Sequence, residues 1–146
     1  MTFVILNMLL ALSAIALAAI FGGRPERQGS LVVGCMAVVA TVGQFTVRRE
    51  YMSVDPVGLS QDAIAFLCFS YIGINSKRIW PLWAAALQLL SVGAHGVRAL
   101  KIPVEPVVYA WMKTGPTWGV LLLLIIGTLL HLRRTRIAAS ARSSRG

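Results

Sequence analysis

Apolar positions gather into five runs of membrane-spanning length, at about 3–21, 30–47, 56–74, 80–100 and 116–132, parted by short polar or basic stretches. The pattern predicts an all-α fold: a polytopic transmembrane helical bundle over residues 1–132. Residues 107–114, with Tyr109, Trp111 and Lys113, read as an interfacial half-helix bent from the last span at a Gly115-Pro116 hinge. Gly22-Gly23-Arg24-Pro25 ends the first run and opens a loop reaching Gly29. Asp55-Pro56 is a cap followed by a first-turn proline and starts the third run. Ser60-Gln61-Asp62 follows at once, which leaves a half-inserted helix there as the alternative. Trp80-Pro81-Leu82-Trp83 puts two indoles where membrane and water meet, so Trp80, Trp83, Tyr109 and Trp111 are expected as interface anchors. Ala14, Ala18 and Gly22 keep a spacing of four, and Gly34 and Gly43 punctuate the second run; all five are expected helix-packing positions.

Within the fourth run Gln88, Ser91, His95 and Arg98 fall in a sector of about 80° at 100° per residue, one polar stripe on an apolar helix. A bilayer tolerates such a stripe only on a protected face. Folding the third and fourth runs as a hairpin about Lys77 sets Asp62 level with Ser91 and His95, and within reach of Arg98 if that side chain turns inward. Asp62, Gln88, Ser91, His95 and Arg98 form the expected intramembrane polar cluster.

Composition fits this picture. Of 146 residues 57% are hydrophobic and 13% charged, against roughly 25% charged in soluble domains, and the mean hydropathy is +0.74. The net charge of +9 raises the question of nucleic acid. The basic residues, however, lie between and after apolar runs and form no groove with interleaved aromatics, so they read as topology signals. Arg24, Arg27, Lys77, Arg78 and the tail (Arg133, Arg134, Arg136, Arg142, Arg145) place nine on one side; Arg48, Arg49, Arg98, Lys101 and Lys113 place five on the other. The positive-inside rule then sets the N-terminus outside and the C-terminus in the cytoplasm. Residues 133–146 read as a disordered basic tail suited to anionic lipid headgroups. No basic residue precedes the first run and two follow it, so a retained span is favoured, although Ala16-Leu17-Ala18 has the form of a cleavage site.

Chemistry is sparse. Asp62 is the one clearly intramembrane acid, so no carboxylate pair for acid/base work is evident, and no nucleotide, zinc-protease or triad motif occurs. Cys35 and Cys68 lie inside apolar runs and read as core thiols. His95 and His131 fall toward opposite membrane faces and cannot share a haem iron. No cofactor and no metal are expected.

The run Lys77-Arg78-Ile79-Trp80-Pro81-Leu82-Trp83-Ala84-Ala85-Ala86-Leu87-Gln88, followed by His95 and a Tyr/Trp segment before the last span, resembles small bacterial inner-membrane proteins of unassigned function. The resemblance covers the second half of the chain and implies a bacterial inner membrane. The leading expectation is a non-enzymatic accessory or scaffold subunit that packs against a larger membrane partner or a second copy. The alternatives are an oligomeric carrier or channel using the polar cluster, or a sensor of pH or membrane state through His95.

Overall fold

The computed structural model describes residues 2–46, 56–100 and 102–143. They form five helices and no strand: α1 Thr2–Phe21, α2 Arg24–Thr46, α3 Pro56–Ser76, α4 Trp80–Ala99 and α5 Pro106–Ser143. Each helix packs on the next, α1 closes the ring against α5, and α2 also reaches α5. Asp55 and the side chains of Gln44, Tyr109 and Lys113 fall outside what is described.

The expected loop from Gly22 to Gly29 is wrong. It shrinks to Gly22 and Gly23, because Arg24-Pro25-Glu26 already opens α2, a helix start with proline in its first turn and an acid beside the orphan N–H groups. A side chain on Gly22 would run into the Ala18 carbonyl and sit 2.5 Å from the Glu26 Cβ, so the reversal requires glycine. At the same end α3 passes to α4 through Lys77, the one described non-glycine residue with positive φ, at 52°. A side chain on Gly73 would lie 2.5 Å from Leu82 Cδ2, so this glycine lets the first turn of α4 cross α3 closely.

Two further expectations fail on α5. Residues 107–114 are no separate half-helix, and Gly115-Pro116 is no break, since α5 runs unbroken through Pro116. One proline removes one backbone hydrogen bond, and Pro116 is buried against the bundle, where neighbouring helices hold it in line. Nor is the tail irregular: it is exposed helix through Ser143. Its arginines and alanines are good helix formers, and they extend an existing helix without the cost of nucleation. At about 1.5 Å per residue α5 extends well past any bilayer core.

Apolar side chains fill the core and also cover much of the outside. The core is mostly small or aromatic: Ala14, Ala18, Ala65, Ala84, Ala85, Phe69 and Trp80, with Leu121 and Leu124. Gln88, Ser91, His95, Glu26 and Thr128 are buried, while Leu9, Ile20, Leu31, Ile64, Ile74 and Leu89 stand more than half exposed. Two helical stretches, Pro56–Ser76 and Thr114–Ser143, are long and apolar enough to cross a membrane, and Leu6–Phe21 is a shorter apolar helix.

Of the expected packing positions, Ala14, Ala18 and Gly22 are closely packed and Gly34 and Gly43 are not. Ala14 and Ala18 are fully buried, but a side chain on Gly34 would meet nothing within 4 Å, and one on Gly43 would make ordinary contact with Val57 at 3.9 Å. Besides Gly22, close approach falls on Gly29, Gly73, Gly119 and Gly127. Gly34→Ala is therefore expected to stabilise the folded protein by about 0.5–1 kcal/mol through helix propensity. Gly127→Val should cost about 1–3 kcal/mol through overpacking. Unfolding midpoints of the two variants in one detergent check the contrast.

Candidate functional site

The polar stripe of α4 meets α3 as a buried pair. His95 Nε2 stands 3.4 Å from Asp62 Oδ2, with the His95 side chain 1% and that of Asp62 14% exposed. That spacing is an ion-pair distance, longer than an ordinary N–H···O bond. One turn or two toward the other end of α4, Ser91 and Gln88 are also buried. Gln88 Nε2 donates to the Met36 sulfur of α2 at 3.7 Å, and Gln61 Nε2 of α3 donates to the Met36 carbonyl at 3.1 Å. The Gln88 Oε1 atom accepts no hydrogen bond among the described residues. Arg98, the last member of the stripe, is half-buried at the end of α4. The cluster thus ties α2, α3 and α4 together at one end of the bundle.

Apart from Gln88 Oε1, the polar groups named at this end face neighbouring helices, and the spaces beside them are apolar. A groove of about 340 Å³ between α2 and α3 is lined by Cys35, Met36, Val39, Gln61, Ile64 and Cys68. Both thiols are free, Cys35 exposed and Cys68 half-buried. Among the described residues no three His, Cys, Asp or Glu side chains converge as a metal site would require.

A second polar centre lies at the opposite end of α4. Trp80 is 7% exposed, so it is not the interface anchor its Trp-Pro-Leu-Trp context suggested. Its ring is wedged between glycines of two helices: a Cβ on Gly29 of α2 would lie 2.6 Å from Cη2, and one on Gly127 of α5 would lie 2.8 Å from Nε1. Phe69 of α3 stacks on it edge-on, with centroids 6.3 Å apart. The indole Nε1 donates to Glu26 Oε1 at 3.3 Å. Glu26 is fully buried, and its Oε2 has no hydrogen-bond partner among the described residues. His131 of α5 covers the same spot, since a Cβ on Gly23 would lie 2.8 Å from its Cε1 and 3.0 Å from Glu26 Oε2. Trp83 and Trp111, by contrast, are 63% and 69% exposed.

Sequence reasoning missed this second centre because Glu26 was assigned to a loop. The signal was present: an X-Pro-Glu start after two glycines resembles the X-Pro start of α3, which opens at Pro56. Fifteen residues of α4, about 22 Å, separate Trp80 from His95, so His131 and His95 sit at opposite ends of the bundle.

No family model, curated protein or solved structure matches the chain.

Proposed function

We propose that the chain is a small non-enzymatic integral protein of a bacterial inner membrane, crossing it five times, that serves as an accessory or scaffold subunit for a larger membrane partner. The observation that carries this reading is how the buried polar groups are used. Asp62, Gln61, Gln88 and Met36 join α2, α3 and α4 at one end, while Glu26 and Trp80 join α2 and α4 at the other, against Gly127 of α5. Such pins hold helices in one arrangement, and the large apolar side chains left on the outside of all five helices suit lipid or a partner's helices. With five spans the N-terminus lies outside and the C-terminus in the cytoplasm.

A second reading keeps one observation in its favour. An Asp-His pair as deeply set as Asp62 and His95 also suits a proton-coupled carrier or a sensor of pH.

Topology is tested by reporter fusions: one after Gly146 is expected to read cytoplasmic and one beside Met52 periplasmic. A cytoplasmic signal at Met52 would remove the five-span arrangement. Purification in mild detergent is expected to bring down a membrane protein in fixed stoichiometry, and recovery of the chain alone and monomeric would count against the scaffold reading.

A further inference from the structure

The end of the bundle that holds Trp80 carries an unbalanced charge. Three elements leave their apolar runs there: α1 into α2 at Arg24 and Arg27, α3 into α4 at Lys77 and Arg78, and α5 at Arg133 and Arg134. Their level is fixed by packing, because His131 covers Gly23 while Trp80 fits between Gly29 and Gly127. All six cations therefore surround one end face; five are exposed and Arg78 is half-exposed. Of the three acids among the described residues, Glu26, Asp62 and Glu105, only Glu26 falls at this end, and it is fully buried beneath the Trp80 indole. Among the described residues the face presents positive charge with no exposed carboxylate to offset it.

Lys77 adds an independent observation. It holds φ at 52°, a left-handed conformation that glycine or asparagine adopts far more easily. A lysine at that turn weakens the fold locally, and strain of this kind gathers where a side chain serves another purpose.

We infer that this face is a binding site for the phosphate of anionic phospholipid headgroups, built from the α1–α2 turn, the α3–α4 turn and the start of the α5 extension together. The inference rests on the membrane reading above and moves the headgroup contact from the tail alone to a collar of three elements. The cations sit at the edge of the apolar band, the depth at which headgroup phosphates lie, and arginine can grip a phosphate through two parallel N–H···O bonds.

The test uses the full chain in micelles containing equal amounts of phosphatidylglycerol and phosphatidylcholine, with retained lipid counted by native mass spectrometry. Phosphatidylglycerol is expected to be retained in preference. Lys77→Gln with Arg78→Gln should lower that preference about fivefold per cation removed, and added salt should lower it without any substitution. Lys77→Gly separates binding from folding: it should raise the unfolding midpoint while still weakening phosphatidylglycerol retention. Equal retention of both lipids overturns the site. So does a preference untouched at Lys77 and Arg78 but lost in Arg133→Gln with Arg134→Gln, which would leave the tail as the contact. Failure of the chain to enter lipid or detergent at all would overturn the membrane reading, and the site with it.

Discussion

Trp80→Ala is expected to destabilise the bundle by about 3 kcal/mol or more, the largest single-residue effect in the chain. On the membrane reading proposed above, lipid tails are as apolar as the core, so transfer out of solvent contributes little and what is lost is packing. The indole fills a space shaped by Gly29, Gly127 and Phe69 from three helices, and removing a ring of that size from a closed site costs about 3–5 kcal/mol. The Nε1 donor goes as well, leaving both oxygens of the buried Glu26 without a recorded partner, a further cost of about 1–3 kcal/mol. Trp80→Phe isolates that second part, since the ring remains and only the N–H is lost. Trp83→Ala is the control: it removes an equal indole that is 63% exposed, and should change stability by no more than about 0.5 kcal/mol. Unfolding of the three variants in a denaturing detergent series decides the matter. Equal effects at Trp80 and Trp83 would mean that Trp80 does not hold the helices together.

The same residue shows where the sequence could be read and where it could not. Periodicity exposed the Gln88, Ser91 and His95 stripe, because an α-helix has one period and three polar side chains at that period can only share a face. Level-matching about Lys77 then brought Asp62 opposite, and the structure sets it 3.4 Å from His95. Trp80 was misread because the local signal of a Trp beside Pro at the end of an apolar run is the same for a ring that faces lipid and for one that faces Glu26. The choice is made by glycines on α2 and α5 about fifty residues away in each direction. Glu26 was lost to a boundary error of a few residues, and with it His131 lost its neighbour. Gly34 failed for a related reason: a lone glycine within an apolar run permits close approach but does not say which face of the helix has a neighbour. Pro116 marked a break on local grounds, while tertiary support kept α5 whole.

Asp62 and His95 are expected to be energetically coupled, and that coupling separates the two readings of the chain. His95 is buried to 1% and faces Asp62 at 3.4 Å, so removing either alone takes a buried polar contact from the other, at a cost of about 3 kcal/mol. Removing both takes the contact away from the two sides at once. The double variant Asp62→Ala with His95→Ala should therefore lose less than the two singles together, by at least about 1 kcal/mol. Stability alone does not say what the pair is for, so the same variants are taken into liposomes. In a scaffold the pair matters only through folding: Asp62→Asn, which keeps the shape and can still face the imidazole, should leave partner co-purification intact, and no solute flux should depend on it. In a carrier the exchangeable proton is the point, and Asp62→Asn should abolish pH-dependent flux by the purified protein while leaving it folded. Flux lost in that way would sink the scaffold reading. Intact partner binding with no flux at any pH would reduce the Asp62–His95 pair to a pin between α3 and α4, set opposite the pin that Trp80 and Glu26 make at the other end.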